Sequence, residues 1–306
     1  MKELKITIEE VLQGSDIKTA IAGGGTPDYP FLIYAEVAEG ARRNLAFLQV
    51  VQEDFSLIGA VGHTIEFLKA DTPITASEST EAQVIAGMSA QTKSISSVEL
   101  AVPKVIWSAV ELSDILREDY PNVEWVRLCL RDMGKSVMET LDALVYTALS
   151  GCSTVTANCT NLDYDAITDG LAAMENNNWV ADPANPPFLI MAPDSAKLIM
   201  RDTDFERTER YTTYEISRMV QGELGNFAGC RVLKSPHLDG KKYAFIVFPP
   251  NGPYGPVVVN AWKRRLTVKD EYETTKAYTY INVSMRAKPA VIQAKGVCRI
   301  EISNTP

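Results

Sequence analysis

A ribbon that runs straight into a long helix constrains this chain more than any motif does. Residues 62–106 hold two β-like stretches, GHTIEFLKAD and KSISSVELAVPKVIW, on either side of the polar run TPITASESTEAQ. A two-stranded ribbon encloses almost no core of its own, and an isolated hairpin is marginal in water. Such an arm makes sense if it lies on a neighbouring subunit. The sequence therefore raises a question of assembly before one of reaction.

The helix that follows is read from Val123 to Ser150. Val126, Leu130, Met133, Val137, Leu141, Leu144 and Ala148 recur at spacings of 4, 3, 4, 4, 3 and 4, which draws one apolar stripe along an α-helix. Asn122 is placed to cap its start, Glu124 suits the first turn, and Gly151 ends it. Lys135 and Glu139 form an i,i+4 pair.

Composition narrows the classes. The 306 residues are 46% hydrophobic and 23% charged, enough for a sizeable core in one or two domains. No apolar run approaches the roughly 18 residues a membrane helix needs. The start, MKELKITIEEVLQG, carries acids and no apolar core, so a signal peptide is not expected. The five cysteines are odd in number and lack CxxC spacing. A disulfide framework or zinc site is thus not expected, and a Cys152–Cys159 approach across a loop is the lesser reading. Net charge is −9 and the basic clusters, Lys263-Arg264-Arg265, Arg42-Arg43 and Arg127/Arg131/Lys135, are short. A tight nucleic-acid binder would show a basic stripe, so these read as solvated or paired surface.

Thr7 and Glu10 resemble a capping box, Gly23–Gly25 reads as a hinge, and residues 28–51 are helix-prone. Past Gly151 a second unit is expected. Asp163 caps a helix bearing Ile167, Leu171 and Met174; PPFLIMAP reads as a buried strand; Asp194 caps another helix. A polar excursion, RDTDFERTERYTTYE, precedes further strands in YAFIVFPP, VVVNAW, YTYINVSMRA and GVCRIEIS. Helices and strands mix without a βαβ rhythm, so the fold class is α+β.

Catalytic signatures are lacking. The two histidines, His63 and His237, sit in no ligand spacing, and there is no GxSxG elbow. Gly222, Gly225 and Gly229 do not make a dinucleotide fingerprint. Asp202, Asp204 and Glu206 lack the glycine and closing Glu of a calcium loop. No catalytic, cofactor or metal site is assigned.

The order of parts resembles the major capsid protein of tailed double-stranded DNA phages and related viruses, with the Hong Kong ninety-seven-type fold. EVAEGARRNLAFLQVVQ resembles the approach to that family's extended loop, MAPDSAKLIMRD and GELGNFAGCRVLKSP its axial-domain pattern, and VVVNAWKRRLTVKDEYE with INVSMRAKPAVIQAKGVCRIEIS its closing strands. AVELSDILRED (109–119) looks like its short helix before the spine. The resemblance implies an N-terminal arm and leading helix over 1–60 and an extended loop over 61–106. A peripheral domain over 107–160 would carry the spine helix 123–150, followed by an axial domain over 161–245 and peripheral return strands over 246–306. With the loop starting so early, a separate scaffold, or none, is expected. The implied function is self-assembly as pentamers and hexamers into an icosahedral shell around double-stranded DNA that is enclosed without tight binding. Portal, scaffold or other head proteins would be partners, and a virion built in the host cytoplasm the location. Expected inter-subunit contacts are Lys69, Thr72, Glu78, Glu81 and Lys93 on the ribbon and Arg201, Asp204, Arg207 and Arg210 in the excursion. Two alternatives stay open: an encapsulin-like cellular nanocompartment of the same fold, and a soluble α+β enzyme.

Overall fold

The computed structural model describes residues 37–41, 45–70, 95–113, 123–153, 155–180, 185–200, 226–238, 240, 242–250 and 255–303. After a helical stretch at 37–41 and a 3-10 turn at Phe47–Val50 come β1 (Gln52–Asp54), β2 (Thr64–Ala70), β3 (Ile95–Ala101) and β4 (Ile106–Ser113). Next are α1 (Val123–Ser150), β5 (Val155–Cys159), α2 (Tyr164–Glu175), β6 (Phe188–Met191) and α3 (Pro193–Met200). The chain continues with β7 (Asn226–Phe227), β8 (Cys230–Lys234), β9 (Tyr243–Val247), β10 (Val258–Glu273), β11 (Tyr278–Val291) and β12 (Val297–Ile302).

Three sheets are seen among the described residues. Four strands pair in the order β1-β10-β11-β4, six in the order β5-β12-β9-β6-β8-β7, and two, β2 and β3, stand alone. The ribbon is therefore present, but its second strand ends sooner than the sequence suggests. Its second stretch divides at Val102–Val105, and VPKVIW feeds β4 rather than the ribbon. The short helix expected from Ala109 is corrected too: 109–113 belong to β4, paired antiparallel with β11. Ile106 and Leu112 sit on one pleat face and are buried, a period-2 pattern that a helix could not satisfy. Residues 114–119 lie outside the described residues.

The expected boundaries at 160/161 and 245/246 cut through the six-stranded sheet. β5 pairs parallel with β12, and β12 pairs antiparallel with β9. A strand's sheet depends on partners far along the chain, which local pattern does not reveal. Asp163 caps α2 as expected, its carboxylate accepting from Ala166 N–H at 2.8 Å. On that helix Ile167 and Met174 are buried while Leu171 is only partly so. α3 begins at Pro193, so Asp194 lies in its first turn instead of capping it.

Two cores form on α1. Leu130, Met133, Val137 and Leu141 pack with Trp262, Ile281, Val283 and Met285 of the four-stranded sheet. Val145 and Leu149 pack with Phe47, Phe245 and Ile300 in the core of the six-stranded sheet. Arg299 of β12 secures the helix end: its Nη1 donates to Ser150 O at 2.8 Å, its Nη2 pairs with Glu301 at 2.5 Å, and its guanidinium lies 5.2 Å from the Tyr243 ring centre. A cation on terminal helix carbonyls complements the helix dipole. Arg299→Ala is expected to lower stability by about 1.5–3 kcal/mol, the range for a hydrogen bond to a charged group. Arg299→Lys should recover only part of this, both read by chemical denaturation.

Candidate inter-subunit surfaces

The ribbon has two unlike faces. Ile65 and Phe67 pack toward Leu57, Leu100, Val102 and Ala261, which anchors its base on the four-stranded sheet. Arg286 Nη2 donates to Val102 O at 2.8 Å and holds the strand as it leaves the ribbon. On the other face Leu68 is 75% exposed and flanked by Glu66, directly opposite Glu99. Like charges directly opposite on neighbouring strands destabilise a pair. A third ribbon strand is absent among the described residues. Its outer face is left uncovered by the described residues.

Lys69 lies on β2 opposite Ser96 and is partly buried. Thr72, Glu78, Glu81, Lys93, Arg201, Asp204, Arg207 and Arg210 lie outside the described residues. So does the side chain of Val126, although its backbone is in α1. Leu130, Met133, Val137 and Leu141 are buried. Leu144 departs from the expected stripe: it is 37% exposed, and Val145 and Leu149 take its place in the core. Sequence reasoning also missed exposed apolar side chains, among them Trp107 on edge strand β4 and Leu128 on α1. The signal for Leu128 was available, since it falls off the Leu130–Leu141 stripe.

The basic triplet is engaged within the chain. Lys263 Nζ donates to Leu57 O at 3.2 Å and to Ala60 O. Arg264 Nη2 donates to Ser284 Oγ at 3.0 Å, and the Arg265 guanidinium lies 4.8 Å from the Phe55 ring centre. The β10–β11 register slips between Trp262 and Arg264 and again between Arg264 and Thr267. Such bulges bend and twist a strand locally and re-aim its side chains, which sends these three cations to different partners. Arg131 pairs with Glu39 at 3.1 Å and Lys135 with Glu139 at 3.7 Å; Arg42 and Arg43 lie outside the described residues.

The described residues offer little for catalysis. His237 Nε2 lies 3.5 Å from Asp142, but the nearby Ser235 Oγ accepts from the His237 backbone N–H at 3.3 Å and not from the ring. The thiols of Cys230 and Cys298 are pushed up to about 12 by burial, and burial raises Cys152 and Cys159 as well. A thiolate nucleophile needs the opposite shift. Among the described residues no group of His, Cys, Asp or Glu is placed to hold a metal ion, and no helix is long and apolar enough to cross a membrane.

Residues 114–300 match a family profile described as phage capsid protein. The chain belongs to that family. This capsid protein matches no curated protein in sequence. Its fold is shared with solved structures at low identity. A chain from Mycobacterium phage Che8 is 14% identical, with a TM-score of 0.65 over 84% of this chain and 91% of that one. The capsid of the cyanophage P-SCSP1u is 12% identical, with a TM-score of 0.64 over 93% and 92%. The mature capsid of bacteriophage PhiM1 is 10% identical, with a TM-score of 0.63 over 86% and 89%. The capsid protein thus has the α+β Hong Kong ninety-seven-type fold and is a structural shell subunit. Family membership favours the viral shell over the nanocompartment and enzyme alternatives.

Proposed function

We propose that this capsid protein assembles as pentamers and hexamers into a closed icosahedral shell around double-stranded DNA. One observation carries the reading: the outer face of the two-stranded ribbon, with Glu66 opposite Glu99 and Leu68 exposed, has no covering neighbour among the described residues. A second copy would provide one. Lys69, Thr72, Glu78, Glu81 and Lys93 are the proposed contacts along this arm. The mixed-charge segment holding Arg201, Asp204, Arg207 and Arg210 suits a repeated heterologous contact, because solvated ion pairs are weak and adjustable between five-fold and six-fold packing. The six-stranded unit corresponds to the axial part and the four-stranded unit to the peripheral part. Portal, scaffold and other head proteins are further proposed partners, and assembly is placed in the host cytoplasm.

Electron microscopy of the purified protein should show closed shells, and replacing residues 72–93 with a short turn should leave a folded subunit that no longer closes them. Shells from the shortened chain at normal yield would refute the arm's role. Particles with neither a portal vertex nor DNA would favour the nanocompartment.

The net charge of −9 and the internal engagement of Lys263, Arg264 and Arg265 support enclosure of DNA without tight binding. Neutralising several phosphates takes free Lys or Arg. The subunit should therefore show no submicromolar affinity for duplex DNA at physiological salt in a fluorescence titration. Such affinity would overturn this part of the reading.

A further inference from the structure

α1 passes from one core to the other between Leu141 and Val145, and Asp142 sits at that handover, 1% exposed. Its Oδ1 accepts the backbone N–H of Leu48 at 3.0 Å, and the Phe47 N–H also serves it. Its Oδ2 lies 3.5 Å from Nε2 of His237, which is 30% exposed on the 3-10 turn Pro236–Leu238 between β8 and β9. One carboxylate thus ties together the spine helix, the turn before β1 and a connection of the six-stranded sheet. Glu139, on the same helix, is the other charged group acting on it, and it repels.

We propose that Asp142 and His237 form a proton-operated clamp that sets how firmly the six-stranded sheet is held to the spine helix. With the imidazole protonated, its positive charge faces the Asp142 carboxylate across 3.5 Å as an ion pair. With the imidazole proton lost, the contact loses its positive charge, and the buried carboxylate relies chiefly on the backbone donors of the Phe47–Val50 turn. Imidazole side chains exchange this proton between about pH 5 and 8. Closing the clamp takes up one proton per subunit from solvent and breaks no covalent bond.

The Asp142 carboxyl is raised above the ordinary range, chiefly by burial and against the pull of the Leu48 N–H and His237. The stability linked to a raised group is present below its unfolded pKa and lost as pH rises through the folded one. Asp142 therefore weighs against the fold in neutral and alkaline solution, and a protonated His237 offsets this.

Hydrogen exchange at the Leu48 amide tests this in the full chain, in whatever assembly state it purifies. Corrected for the intrinsic rate, exchange should slow about three- to tenfold between about pH 8 and pH 6. His237→Gln keeps a side-chain donor but cannot charge, and Asp142→Asn keeps an acceptor for Leu48 N–H. Both should abolish the slowing. Asp142→Asn should also melt above the wild type near pH 8 and below it near pH 6. Equal slowing in the wild type and His237→Gln, or a wild-type amide with no pH response, would overturn the clamp. The readout lies inside one subunit, so it stands apart from the shell reading, which micrographs test separately.

Discussion

Leu141→Ala should lower subunit stability by about 2–5 kcal/mol, the range for emptying a packed core site. Leu141 is fully buried in α1 against the four-stranded sheet. Leu144→Ala, one turn on, should lower it by under about 1 kcal/mol, as expected away from the core. The two leucines are equal members of the stripe in the sequence, so the comparison isolates packing from helix propensity. Denaturant midpoints for both variants provide the measurement. Equal shifts would mean that the helix is rotated from the placement described above.

Gly134→Ala and Gly40→Ala should each destabilise the subunit by about 1–3 kcal/mol, the usual effect of overpacking. This is opposite in sign to propensity, which favours Ala over Gly in a helix by about 1 kcal/mol. A Cβ on Gly134 would fall well inside contact distance of Val37 O, and one on Gly40 would do the same to Arg131 O. Both obstacles are backbone atoms. They yield only if the stretch at 37–41 shifts away from α1, which would disturb Val37 in the core and the 3.1 Å Arg131–Glu39 pair. Thermal denaturation of both variants checks this, and a rise in midpoint for either would refute the close crossing.

Much of the architecture could be read from local pattern. The period of 3.6 from Leu130 to Leu141 marked α1, and Gly151 its end. Alternation in TIEFLKA and SISSVELA, on either side of a polar run, marked the ribbon. The cues for FLIM, YAFIV and VCRIEI were equally local, being short apolar runs bounded by turn residues. Acidity, and basic residues in threes at most, pointed away from a nucleic-acid grip before any side chain was placed.

The sheet membership of those strands was not legible. β5 lies beside β12 and β9 beside β6, pairings between segments far apart in sequence. The candidate contacts divided in the same way: Lys69 could be placed on the ribbon, whereas Leu68 and Trp107 drew attention only once their exposure was known. Gly134 was similarly silent, because a glycine inside a helix shows its purpose only when another backbone crosses it.

Leu144 and Val145 make the division concrete. Both continue a helical stripe from Leu141, one at i+3 and the other at i+4. The buried series runs Leu141, Val145, Leu149. With 3.6 residues per turn, each step of four turns the buried face by roughly 40° around the axis, and that drift carries it from the four-stranded sheet to the six-stranded one. Periodicity determined that residues 123–150 form one amphipathic helix. The position of two separate sheets along its length decided which side chains became core, and it left the carboxylate of Asp142 where His237 could reach it.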